Sequence, residues 1–212
     1  MRDPALAPHP VGPRQPMILS DLIHALADLV ASEPRPEAQA TARALCEGAE
    51  TGFPSHPPSL LDVEIRAAAL LPDAHPSASL IAKAQAHLPW QASPAASLQP
   101  AALAATKAVV TLLSPEGPIP NPDFRFGLFY QAPGVYYPLH AHEAEETYTI
   151  LAGNAHWQAG ERRFPLTPGQ ASHHPPNLPH AMCAGPDGFL AIWRWSGDIS
   201  FDSYRMLPEP EA

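Results

Sequence analysis

The stretch Gly134-Val-Tyr-Tyr-Pro-Leu-His140-Ala-His142-Glu-Ala-Glu-Glu146-Thr-Tyr148-Thr-Ile-Leu-Ala-Gly153 decides the fold. Its two histidines stand two positions apart, and a glutamate follows four positions after the second. Successive side chains on a strand alternate between its faces, so His140, His142, Glu146 and Tyr148 all fall on one side. A helix would send His140 and His142 to nearly opposite sides, although His142 and Glu146 alone could share a helical face. The run from Glu146 to Leu151 is rich in β-branched and aromatic residues. It reaches Gly153-Asn154, a turn signal, before another strand-like segment, Ala155 to Gln158. The local expectation is therefore a hairpin turning back at Gly153. Imidazole and carboxylate are the usual ligands of zinc, iron, manganese or nickel, and three of them with open positions mark a catalytic metal site. A fourth ligand is expected downstream.

Around this stretch the chain keeps a β rhythm. Segments at Phe124 to Gln131, Thr147 to Leu151, Ala155 to Gln158, Arg162 to Leu166, Gln170 to His174 and Phe189 to Trp195 alternate with Gly and Pro turns, as in an antiparallel barrel or sandwich. Upstream, the periodicity is helical. Met17 to Ala31 carries Ile18, Leu22, Leu26 and Leu29 at helical spacing, and Glu37 to Ala49, Leu60 to Leu71, Ala78 to Leu88 and Leu98 to Leu113 read similarly. Pro4, Pro8, Pro10, Pro13 and Pro16 rule out regular structure at the start. The expected organisation is a Pro-rich flexible arm over 1–16, a helical region packed on the barrel over 17–113, and a metal-binding barrel over 114–212.

Composition narrows the function. The 212 residues carry a formal net charge of -9, and Lys83 and Lys107 are the two lysines. No basic stripe is present, so a nucleic-acid partner is not expected. Cys46 and Cys183 lack metal-ribbon or disulfide-framework spacing and read as small core residues. No segment approaches the about 20 apolar residues of a membrane span, so the expectation is a cytoplasmic protein without membrane contact.

The segment Leu166-Thr-Pro-Gly-Gln-Ala-Ser-His-His-Pro-Pro-Asn-Leu-Pro-His180 supplies a Pro-Gly turn, a short strand, a proline-rich loop and a histidine. It resembles the second motif of the cupin superfamily, with Ala184 where the common pattern has asparagine. Gly134 to Gly153 resembles the first motif, with every spacing of G-x5-HxH-x3-E-x6-G intact. The resemblance implies an α+β, mainly β fold: a C-terminal cupin barrel, a double-stranded β-helix or jelly roll, after an N-terminal helical region. It also implies His140, His142, Glu146 and His180 as ligands of one divalent ion, with zinc, iron(II) and manganese all admissible. His9, His24, His56, His75 and His87 lie away from this pattern. Of His173 and His174, one faces the interior by parity, although neither fits the motif. Glu143 and Glu145 have the parity of the outer face.

Within the cupins, finer residues single out a reaction. Tyr148 lies on the ligand face, close enough for a metal to lower its pKa from about 10 and make it a base. Tyr136 and Tyr137 precede the first histidine. Trp193 and Trp195 share one face of the last strand, with Arg194 on the other. Aromatic rings around a metal pocket suit a cationic sulfonium group. Tyr137, His140, His142, Glu146, Tyr148, His180 and Trp195, behind a helical N-terminal portion, resemble the bacterial dimethylsulfoniopropionate (DMSP) lyases. The resemblance implies cleavage of a zwitterionic sulfonium substrate to acrylate and dimethyl sulfide. Tyr148 or Tyr137 would be the base, and Tyr136, Tyr137, Trp193 and Trp195 would line the substrate. The alternatives are a cupin dioxygenase using ferrous iron and a non-catalytic small-molecule-binding cupin. Monomer and homodimer are both compatible with the sequence.

Overall fold

The structure, a computed structural model, describes residues 17–54 and 56–209. The proline-rich arm read over 1–16 lies outside the described residues. Four helices open the described chain: α1 Met17–Ala31, α2 Pro36–Glu47, α3 Asp62–Ala69 and α4 Ala78–Ala84. Leu19, Leu22, Ile23, Leu26 and Val30 form the buried stripe of α1, the spacing that places apolar side chains on one helical face. α2 starts at Pro36, whose fixed φ suits a first helical position, and stops at Gly48.

The expected helix from Leu98 to Leu113 does not form. A 3-10 turn, Pro94–Leu98, and one short helix, α5 Ala101–Ala104, lead into strand β1, Lys107–Ser114. Val109, Val110 and Thr111 are β-branched, and β1 is buried on both faces. Ala108, Val110 and Leu112 pack with the helices, and Val109 packs inside the barrel. Burial on two faces produces a continuous apolar run that periodicity alone cannot tell from a helix.

The remaining strands are β2 Ile119–Pro120, β3 Phe124–Gln131, β4 Tyr136–Ala141, β5 Ala144–Ala159, β6 Arg162–Leu166, β7 Ala171–His174, β8 His180–Gly197 and β9 Arg205–Met206. One path runs β2-β1-β3-β8-β4-β9, and β5 pairs with β6, β7 and β8. The long strands β5 and β8 run antiparallel from Ala144↔Gly197 to Ala159↔His180. The C-terminal half of β8 also pairs with β3, and its N-terminal half with β4. Two long, bent strands thus tie the others into one nine-stranded sheet that closes as a barrel, and mainly β with N-terminal helices is the observed class.

The hairpin expected at Gly153 is instead a bend inside β5. Register shifts fall between Ile150 and Ala152 and between Gly153 and Ala155, and the chain turns back only at Gly160. Two cores result. One joins the helices to the outward residues of β1, β3 and β8, including Val110, Leu128 and Ile192. The other fills the barrel with Phe129, Tyr148, Trp157, Met182, Phe189 and Trp193. Cys46 is exposed and Cys183 partly exposed, so neither is a core residue. Cys183 alternates with the buried Met182 and so takes the outer face of β8. Among the described residues, no helix is long and apolar enough to cross a membrane.

Candidate metal centre

Pairing of strands assembles the site. His140 of β4 stands opposite His180 of β8, and Glu146 of β5 stands between His174 of β7 and Trp195 of β8. Tyr148 sits one inward position further, between Ser172 and Trp193. His142 follows β4 directly. All of these side chains are buried.

Ligand atoms of His142, Glu146 and His180 lie within 4.8 Å of one another. His140 stands beside this group rather than in it, with its ring edge-on to that of His180 at 4.1 Å. The three motif histidines share one orientation. Nδ1 of His140 lies 2.8 Å from the Pro138 carbonyl, that of His142 3.0 Å from Ala144, and that of His180 2.9 Å from Leu178. A carbonyl only accepts, so each Nδ1 donates and each Nε2 is left as the ligating lone pair. Nε2 of His142 and of His180 then point at Glu146 Oε2, at 3.3 and 3.1 Å. His180 Nε2 is buried without a hydrogen-bond partner.

Lone pairs and a carboxylate converging in a buried space require a positive charge between them. Glu146 expresses the same demand. Burial pushes its carboxyl up, but the imidazoles of His142, His174 and His180 gathered around it outweigh this and hold it well below the usual range. Two imidazole nitrogens and a carboxylate are a donor set that fits a divalent cation. Burial, with His180 next, pushes the His140 imidazole well down, which keeps it neutral.

His174 is the residue that motif reasoning missed. Trp157 Nε1 donates to its Nε2 at 2.9 Å, so its Nδ1 carries the proton and donates to Glu146 Oε2 at 3.2 Å. Burial lowers its pKa to about 4, and its ring stacks on that of His180 at 4.1 Å. Trp195 holds the other oxygen, donating from Nε1 to Glu146 Oε1 at 2.6 Å. His173 takes the outer face, 3.2 Å from Glu145. Parity across β7 was the available signal for His174.

The aromatic residues divide. Tyr137, Tyr148, Trp193 and Trp195 line the pocket that contains His140, His142 and Glu146. Tyr136 does not. It is 43% exposed and donates to the Glu209 carboxylate at 2.9 Å, because adjacent strand residues cannot both face inward. Tyr137 stacks on His140 at 4.1 Å, and its hydroxyl is joined to Tyr204 and Gln99, both at 2.6 Å. Burial pushes the Tyr137 and Tyr148 phenols well up, and at Tyr148 the Glu146 carboxylate adds to the effect.

This geometry has known relatives. The dimethylsulfoniopropionate lyase family matches residues 55–191, more than half of the chain. The chain belongs to this family. The family's DMSP lyase DddQ of Ruegeria pomeroyi is 36% identical over 101 residues, covering 47% of this chain and 50% of that protein. That match spans only half of the relative's length. Among solved structures, DMSP lyase DddQ from the same organism aligns with a TM-score of 0.67 and 27% identity, covering 92% of this chain and 99% of that one. A second, from work on the DMSP lyases RdDddP and RnDddQII, aligns with a TM-score of 0.69 and 26% identity over 91% and 98%. Coverage this wide takes in the helical layer as well as the barrel.

Proposed function

We propose that this protein is a metal-dependent carbon–sulfur lyase that cleaves DMSP to acrylate and dimethyl sulfide by base-initiated β-elimination. The observation that carries the reading is the convergence of His142, Glu146 and His180 beside an inward tyrosine, in a chain of this family. A divalent ion held by these three residues, with His140 beside them, would supply Lewis-acid stabilisation of developing negative charge and lower the Tyr148 phenol.

The chain's own residues do the rest. Tyr148, as tyrosinate, takes the Cα proton. The C–H electron pair becomes the double bond of acrylate, and the Cβ–S pair leaves with sulfur as neutral dimethyl sulfide. Electrons balance without an oxidant. Tyr148 is favoured over Tyr137 because the Tyr137 oxygen already engages Gln99 and Tyr204. Trp193, Trp195 and Phe129 offer ring faces to the sulfonium and exclude water from it. A cytoplasmic setting and a monomeric or dimeric state belong to the same proposal.

The test is headspace detection of dimethyl sulfide from purified protein with DMSP, with and without chelator, under air and anaerobically. Release that needs metal and is independent of oxygen supports the lyase. Oxygen dependence would point to a dioxygenase, and binding without turnover to a sensor.

A further inference from the structure

Lys107 is one of two lysines in the chain, and it stands inside the barrel. It opens β1 on the same face as Val109, is 3% exposed, and lines the pocket with His140, His142, Glu146 and Tyr148. Its Nζ donates to Gln99 Oε1 at 2.6 Å and lies 3.3 Å from the centre of the Tyr137 ring. That contact fixes the Gln99 amide so that Nε2 donates to the Tyr137 and Tyr204 oxygens, at 2.6 and 2.9 Å. Among the described residues, no carboxylate lies within 4.0 Å of the ammonium. Burial lowers its pKa to about 7.

A buried ammonium held only by a neutral amide and a ring face is costly unless an anion answers it. Glu146, the acid of the same pocket, lies beyond that 4.0 Å reach and is engaged by Trp195 and His174. An ammonium has three N–H donors, of which Gln99 takes one, so capacity for a ligand remains. Much of the rest of the wall is aromatic, with Phe129, Tyr148, Trp193, Trp195 and Phe201. A pocket with one cationic side chain and several ring faces matches a zwitterion in one orientation.

We propose that Lys107 is the carboxylate receptor of this pocket: its ammonium pairs with the substrate carboxylate and turns the cationic end toward the aromatic wall. The substrate named here rests on the lyase reading. The anion site itself rests on Lys107.

Calorimetry with propionate, an unreactive carboxylate, tests this on zinc-loaded and on chelator-treated protein, in buffers of different ionisation enthalpy near about pH 8. An anion favours the charged amine, so the wild type takes up protons on binding. Lys107→Met is expected to bind propionate about tenfold to a hundredfold more weakly and to lose that uptake, with an unchanged or higher Tm. Lys107→Arg recovers affinity without uptake, since guanidinium is always charged, a split that a merely structural role does not produce. Tyr137, His140, His142, Glu146, Tyr148 and Tyr204 share the pocket, and the Met variant subtracts their proton exchange. Propionate that does not bind the wild type, or that binds Lys107→Met equally with the same uptake, overturns the proposal. A Lys107-dependent anion site without dimethyl sulfide release would sink the lyase reading alone.

Discussion

Glu146 gathers more of the site than any one histidine. Trp195 donates to one of its oxygens and His174 to the other, and His142 and His180 aim their Nε2 atoms at the second. A carboxylate held at both oxygens cannot rotate away, so His174 would act on a bound metal by positioning Glu146. Truncation of such an outer partner typically costs 10–100-fold in metal affinity. His174→Ala is therefore expected to lose about that much in competition with a chromophoric chelator while keeping its far-ultraviolet dichroism; wild-type affinity would refute the role. At Tyr148 the argument concerns a proton. Burial and Glu146 raise this phenol, so it stays neutral near pH 7, and a cation bound beside it would lower it. Tyr148→Phe should lower dimethyl sulfide release by about 10²–10⁴-fold, the usual share of a general base, with metal content unchanged. A comparable loss in Tyr137→Phe but not in Tyr148→Phe would reverse the assignment. His140, His142 and Glu146 were legible by their spacing and His180 by the resemblance of its segment to the second motif, although the first three lie on β4, on β5 and in the break between them rather than on one strand. Gln99, Lys107 and Tyr204 were not legible, because their places depend on pairings between distant segments, and parity put one of His173 and His174 inside without saying which.

The same contrast holds for elements. β6 was read to the residue, since turn signals bound it on both sides, whereas β1 and the bend in β5 were misread. Gly153-Asn154 looked like a hairpin because the dipeptide is a turn signal, and Gly153 does take a left-handed φ of +69°. In the barrel that conformation serves a bulge, and the strand continues for six residues, to Ala159. A Cβ on Gly153 would come within 2.1 Å of the Gly188 carbonyl oxygen in β8. The glycine that ends the first motif thus allows the two long strands to approach where both change partners. Gly153→Ala combines left-handed strain with backbone crowding, so a loss of about 2 kcal/mol or more is expected in urea unfolding. A change below about 0.5 kcal/mol would mean that the bulge relaxes freely. His75, which donates its backbone N–H to Leu151 O at 2.6 Å, ties the helical layer to this same bend.

At the scale of the whole molecule, the first of the two cores joins the helical layer to the outer face of the barrel, and a buried charge pins them together. Arg194 lies on β8 between the two pocket tryptophans in sequence, so alternation sends it outward, beneath the helices, where it is fully buried. The parity of Trp193, Arg194 and Trp195 was readable in the sequence. What covers Arg194 was not, because its partner comes from the link between α1 and α2. Arg194 donates to Glu33 at 2.9 Å, to Thr147 at 3.2 Å and to Ser196 at 3.0 Å, and Glu33 also meets Arg35 at 3.0 Å. Removing Glu33 strands a guanidinium that has no water to return to, and a broken buried pair costs about 3–5 kcal/mol. Two features reduce that figure here. The Glu33 side chain is 20% exposed, and Glu145 stands 4.0 Å from the guanidinium on the barrel side. Glu33→Ala is therefore expected to cost about 2 kcal/mol in urea unfolding, with little dependence on salt because the guanidinium is buried. Metal affinity should be unchanged, since Arg194 and Glu146 face opposite sides of the sheet. A loss below about 0.5 kcal/mol would show that apolar packing alone docks the helices, and a fall in metal affinity would show that the clamp reaches through the sheet to the site.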